Sequence, residues 1–207
     1  MKTRRLNWLI FGLLSLGADM AGAGDPLNEW ARRTVPGLSV NLNAVAFGNG
    51  AFVAVGNNST VARSTDGINW TVAMPGAYGN LFRVRFLEGE FVVVGSSDRI
   101  LVSTDGLSWT ERTLPSANFY DIAYGNGRYV IIGSICYVST NGTGWAVTVP
   151  RIPNPGHQCS LVGIDSIAFG NGRFITIGSC FFAESQPSVY STNGVIGRWT
   201  LPPRRPR

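Results

Sequence analysis

Arg83 and Arg85 stand two residues apart, and Asp121 lies 36 residues beyond Arg85. On a β-strand, residues two apart share a face. Two guanidiniums on one face can grip a carboxylate or a phosphate. They can equally close an internal ion pair with Asp121. Tyr120, Asp165 and His157 are the other polar side chains that could join them at one opening. A small anionic ligand is the chemistry these residues imply. His157 is the single histidine, so no zinc ligand set is expected. No motif in the chain implies a cofactor. Of the three cysteines, Cys159 is expected to bond to Cys136 or Cys180 and to pin the long loop 151–163.

These residues sit inside an internal repeat. Ala44-Val45-Ala46-Phe47-Gly48-Asn49-Gly50-Ala51-Phe52-Val53-Ala54-Val55-Gly56 returns at Arg83–Gly95, Asp121–Gly133 and Ser166–Gly178. At the start of each copy two alternate positions are usually small, as at Ala44 and Ala46, and Arg83, Arg85 and Asp121 break that pattern. A second unit follows each copy. It contains Ser64, Asp66, Gly67 and Trp70 in the first repeat and Ser103, Asp105, Gly106 and Trp109 in the second. The third has Ser139, Asn141, Gly142 and Trp145, and the fourth Ser191, Asn193, Gly194 and Trp199. The tryptophans are 39, 36 and 54 residues apart, the last gap stretched by insertions.

Each repeat reads as two β-hairpins. Asn49-Gly50 supplies the positive φ of a tight hairpin turn, and Asp66-Gly67 marks a second turn before the strand of Trp70. Four short strands per unit of about 40 residues is the pattern of a propeller blade. A blade cannot bury both faces alone, so neighbours must stack. The predicted fold is all-β: a small β-propeller of about four four-stranded blades over 43–201. Trp30 lies 40 residues before Trp70 and implies one extra N-terminal outer strand within 24–42. Such a spare strand, or the lack of a full ring, leaves room for self-association that closes the propeller.

The Ser-x-Asp/Asn-Gly-x-x-Trp units resemble the Asp-box (BNR) repeats of sialidase-like β-propellers. The usual unit keeps one residue between Asp and Gly; here Gly follows directly. The resemblance implies a propeller and gives the repeated Ser, Asp or Asn, Gly and Trp a structural role in the turn. Hydrolytic sialidases add an arginine cluster, a tyrosine nucleophile and an acid/base carboxylate. No upstream arginine motif of that kind is visible, and the chain is short for their six blades. Two of the four turns carry Asn, which accepts the same bonds as Asp and could not serve as a catalytic carboxylate.

The formal charge of +5 comes from the ends. Lys2, Arg4, Arg5, Arg204, Arg205 and Arg207 account for six basic residues, leaving 11 against 12 acidic ones. That balance carries no footprint for nucleic acid. Residues 1–23 read as a signal peptide: a basic start, an apolar run from Leu6 to Leu16, then Ala21-Gly22-Ala23. The apolar run is too short for a stable membrane anchor, which needs about 20 residues. Residues 202–207 read as a disordered Arg/Pro tail. The expected protein is therefore exported, periplasmic or extracellular. It is expected to be non-catalytic and to bind a protein or glycan through the face that gathers the loops around Ala77–Asn80, Ser116–Asn118, Arg151–Gly163 and Phe181–Ser188. A glycan-active hydrolase is the alternative.

Overall fold

The computed structural model describes residues 35, 38–73, 76–115, 118–148, 151–152, 159–180, 188–192 and 194. They belong to the unit spanning Thr34–Arg207. The signal segment 1–23, Trp30, His157, Asn193, Trp199 and the tail 202–207 lie outside the described residues. Among the described residues there is no helix, and so none long and apolar enough to cross a membrane.

Among the described residues, sixteen strands form four antiparallel sheets. The first holds β1 (Leu42–Gly48), β2 (Ala51–Gly56), β3 (Val61–Ser64) and β4 (Thr71–Ala73) in that order. The second holds β5 (Leu81–Leu87), β6 (Glu90–Gly95), β7 (Arg99–Ser103) and β8 (Thr110–Thr113). The third holds β9 (Phe119–Gly125), β10 (Arg128–Gly133), β11 (Cys136–Ser139) and β12 (Ala146–Thr148). The fourth holds β13 (Arg151–Ile152), β14 (Cys159–Gly170), β15 (Arg173–Cys180) and β16 (Ser188–Ser191). This is the expected four-blade plan.

The fourth sheet departs from it at the inner edge. The sequence places 151–163 in a loop. In the structure, Arg151 pairs with Ser160 and Ile152 with Cys159. β14 runs for 12 residues, bulging between Val162 and Ile164 and again before Ser166. The stretch from Cys159 to Val162 has no Gly or Pro to stop it, so the ladder with β15 continues to Leu161 opposite Cys180.

Two-residue turns close the inner hairpins. Asn49 and Gly50 have φ of 45° and 72°, a conformation that Asn and Gly adopt at least cost. Beside each turn a cross-strand aromatic pair forms: Phe47 with Phe52, Phe86 with Phe91, Tyr124 with Tyr129 and Phe169 with Phe174. Their ring centroids lie 4.6–4.9 Å apart, within the range of favourable aromatic contact.

Strand alternation gives every sheet two faces, and within the row each sheet turns an apolar one to its neighbour. Val53, Val55 and Val61 of the first sheet pack on Val84, Phe91 and Leu101 of the second. Val92, Val94 and Ile100 pack on Ile122, Ile131 and Tyr137 of the third. Val130, Ile132 and Val138 pack on Ile167 and Phe174 of the fourth. Each such aliphatic side chain, fully buried, contributes about 1.5–3 kcal/mol. The inner strands follow one another, β1 on β5, β5 on β9 and β9 on β14; among the described residues no comparable packing joins β14 back to β1.

Candidate functional site

The repeated Ser-x-Asp/Asn-Gly unit folds into a hydrogen-bonded plug at the outer turns. Ser64 Oγ accepts from Gly67 N at 2.9 Å and donates to Asp66 Oδ1 at 2.9 Å. Asp66 Oδ1 then accepts the backbone N–H groups of Ile68 and Asn69, each at 2.8 Å. Trp70 Nε1 closes the turn on Gly67 O at 3.2 Å. Ser103 and Asp105 repeat these bonds with Gly106, Leu107 and Ser108. Ser139 and Asn141 repeat them with Gly142, Thr143 and Gly144, and Trp145 Nε1 reaches Gly142 O. Ser191 Oγ accepts from Gly194 N at 3.0 Å. Trp109 is the exception, its indole N–H buried with no partner among the described residues.

These donors hold the Asp66 carboxyl well below the usual carboxylate range, the Asn69 and Ile68 N–H groups contributing most. The Asp105 carboxyl is lowered the same way by Ser108 and Leu107. A depressed folded-state pKa gives stability that is complete above about pH 4 and lost as the pH falls through the folded value. Asn141 makes the same bonds without a charge. The double substitution Asp66→Asn, Asp105→Asn should therefore move the acid-unfolding midpoint, followed by tryptophan fluorescence, to lower pH. An unmoved acid limb would contradict this account.

The loop-bearing end is tied down where the first and second sheets meet. Tyr78 N donates to Ser59 Oγ at 2.6 Å, and Ser59 N to Gly79 O at 2.6 Å. The buried Tyr78 hydroxyl donates to Glu111, which also takes the guanidinium of Arg99. That bond to Glu111, with burial, pushes the Tyr78 phenol above its ordinary range.

Arg83, Arg85 and Asp121 come together as the sequence implies. Asp121 is fully buried on β9. Arg85 meets it with a two-pronged grip, Nε to Oδ1 at 3.1 Å and NH2 to Oδ2 at 2.8 Å. Arg83 Nε stands 3.5 Å from Oδ1, an ion pair without hydrogen-bond geometry. The remaining lone pairs are taken from two strands. Ile122 N donates to Oδ1 at 2.9 Å, while Ser166 Oγ and Ile167 N donate to Oδ2 at 2.9 and 3.2 Å. One carboxylate thus joins the inner strands of three sheets. The arginine side chains remain 33% and 40% exposed, so their outer edges face solvent. Beside Arg85 opens a cleft of about 230 Å³ lined by Ala123, Tyr124, Ala168 and Phe169. A larger cleft of about 390 Å³ lies at the third outer turn, between Arg128, Thr140 and Trp145; no carboxylate lines it.

The other expected site residues do not join this cluster. Tyr120 is half-buried against Phe82, with ring centroids 6.1 Å apart. Asp165 is exposed at the bulge of β14 and has no hydrogen bond or ion pair among the described residues. Ser166 is a participant that the sequence does not single out. It occupies one of the small positions of the repeat, and nothing in that pattern distinguishes a donor from a spacer. Of the two expected partners of Cys159, one, Cys136, has a described side chain. It is a free thiol, placed at the start of β11 and packed with Val130, Ile132 and Val138 between the third and fourth sheets. Burial pushes its pKa up to about 11, which makes it a poor nucleophile. The side chains of Cys159 and Cys180 lie outside the described residues. Among the described residues, no group of three or more His, Cys, Asp or Glu side chains could hold a metal ion.

No protein-family model and no curated protein matches the chain. Solved structures do match its fold. YCF48 bound to D1 peptide aligns over 81% of this chain and 55% of its own, with a TM-score of 0.59 and 18% identity. A nidogen/laminin complex aligns over 77% and 64%, with a TM-score of 0.58 and 14% identity. The WD40 β-propeller domain of Doa1 aligns over 80% and 56%, with a TM-score of 0.52 and 15% identity. The chain thus spans 55–64% of the length of these structures. At such identities the likeness shows the fold alone: a β-propeller arrangement of blades.

Proposed function

We propose that the chain is an exported, non-catalytic binding module that holds an anionic segment of a partner protein against its arginine-bearing inner strands. One observation carries this reading. Two guanidiniums share a single buried carboxylate, so one positive charge is left over at an exposed edge beside an open cleft. A carboxylate on the partner would complete the charge balance, and an adjacent apolar side chain would fill the space between Tyr124 and Phe169. YCF48 seen with a D1 peptide and nidogen seen with laminin support the reading as uses of a similar fold in those proteins. Asp121, committed to two guanidiniums, a hydroxyl and two backbone N–H groups, has no lone pair left for acid or base work, which favours binding over glycan hydrolysis.

Fluorescence anisotropy with labelled peptides tests this. Peptides pairing Glu or Asp with an aromatic residue should bind about tenfold more tightly than their Gln or Asn counterparts at low salt, with the preference falling as salt rises. Arg85→Gln should erase the preference, whereas Arg128→Gln, at the other cleft, should keep it. Equal binding of acidic and neutral peptides would end the proposal, and a glycan array would then become the next probe.

A further inference from the structure

Inside the row of sheets, three contacts occur at the turn-bearing end of the first–second interface and again at the third–fourth. The first is an aromatic ring on a glycine. Phe86 lies on Gly48 and Phe169 on Gly125, so closely that a Cβ on either glycine would stand 2.1 or 2.2 Å from a ring carbon. The second is an asparagine clasp. Asn49 Nδ2 donates to Gly89 O and Thr104 O of the next sheet at 3.1 and 2.8 Å. Asn126 Nδ2 does the same to Gly172 O and Thr192 O at 3.1 and 2.9 Å. The third is an outer-turn glycine on the second strand of the sheet before, Gly106 on Val53 and Gly194 on Val130.

The two ends of the row carry the unmatched halves of this set. On the fourth sheet, a Cβ at Gly170 would meet nothing within 4 Å. Asn171 holds the φ of 50° found at Asn126, yet it is exposed and has no partner among the described residues. Ile175 and Ile177 are 46% and 51% exposed, where their counterparts Val130 and Ile132 are buried. On the first sheet, Val45 is 60% exposed and Phe47 57%, where Val84 and Ile167 in the place of Val45 are buried. Gly67 touches only Phe52 of its own sheet. Each end lacks what the other end offers.

We infer that a second copy of this chain supplies both missing halves, so that two chains join head to tail twice into one ring of eight sheets. Phe47 of each copy would cover Gly170 of the other. Asn171 would clasp the carbonyls of Gly50 and Thr65, and Ile175 would rest on Gly67. The occupant is named by the repeat itself: two interfaces within the chain, first on second sheet and third on fourth, already show which surface fits which. A head-to-tail contact that closes after two copies has two-fold symmetry and leaves no open end, and eight blades lie within the propeller range. Farther along the strands of the first sheet, Ala54 and Ala62 face away from the second sheet and are already buried. The proposed contact therefore uses the turn-bearing end of that face. Cover of the whole face by the chain's own remaining residues is the competing arrangement.

Sedimentation equilibrium of the purified full chain, from about 1 to about 100 µM, decides between them. Twice the chain mass is expected. Phe47→Glu and Ile175→Lys should each give monomers, and their equimolar mixture should recover a dimer, because one wild-type interface and one Glu–Lys contact then form. The recovery also shows that both variants are folded. Asn171→Ala, which removes only the clasp, should weaken dimerisation about tenfold. A wild-type monomer at the highest concentration, an open-ended ladder of larger species, or variants that keep the wild-type mass would each overturn the inference.

Discussion

Asp121→Ala is expected to destabilise the protein by about 3 kcal/mol, read as a fall in the urea midpoint at constant m-value. The carboxylate is fully buried and holds two guanidiniums, the Ser166 hydroxyl and the N–H groups of Ile122 and Ile167 at once. Removing it leaves two cations facing each other and two buried N–H groups without acceptors. Breaking a buried ion pair typically costs about 3–5 kcal/mol. The lower end applies because both arginines are partly exposed and water screens their repulsion. Asp121→Asn should cost a comparable amount, since it removes the charge and sets an amide NH2 donor where one carboxylate oxygen accepts from other donors. Adding Arg83→Ala and Arg85→Ala to Asp121→Ala should recover part of the loss, a coupling that a double-mutant cycle measures. A loss below about 0.5 kcal/mol, the range of ordinary surface changes, would mean that the cluster is ornamental.

Gly125→Ala should cost about 2 kcal/mol, while the same change at the corresponding Gly170 should cost almost nothing in the isolated chain. The difference lies in the neighbour. A Cβ at Gly125 would stand 2.2 Å from Phe169 Cγ, and the ring cannot retreat, because it is held against Phe174 with a centroid distance of 4.8 Å. Overpacking of this kind costs about 1–3 kcal/mol, offset only slightly by the entropy advantage of Ala over Gly in a strand. At Gly170 the position is open. Thermal melts of both variants provide the comparison, and any cost at Gly170 should grow with protein concentration. Equal melting temperatures for the two variants would contradict the packing described for the third and fourth sheets.

Much of the blade plan is legible in the chain because its punctuation is local. Asn49-Gly50 and Asp66-Gly67 need only their own backbone conformations to act as turns, so they read directly. Arg83, Arg85 and Asp121 are legible for a different reason: they interrupt positions that other repeats fill with small residues, and charges at such positions must find one another. Ser166 is not legible, since a serine that donates to Asp121 looks like any small residue of the repeat. The strand through Cys159–Ile164 is hidden by its place inside an insertion. The place of Cys136 at the start of a four-residue strand is not legible either, because that boundary depends on pairing, here with Thr148 across the sheet. The repeat leaves room for an incomplete ring but does not say whether the first and fourth sheets meet. A repeat states how one sheet meets the next; how far each sheet is rotated from its neighbour depends on the summed packing of every interface.

The stacking order also sets where the molecule first comes apart. Within one chain, the second and third sheets are each gripped from both sides, whereas the first and fourth are each gripped by a single described neighbour. In such a linear array, stability is a sum over adjacent modules, so a terminal module can peel away while the middle pair stays folded. Amide exchange then slows from the ends toward the centre. Arg85 and Asp121 fasten this centre, but the cleft beside Arg85 is walled on one side by Ala168 and Phe169 of the fourth sheet, so fraying of that sheet would take the cleft apart while the central pair still holds.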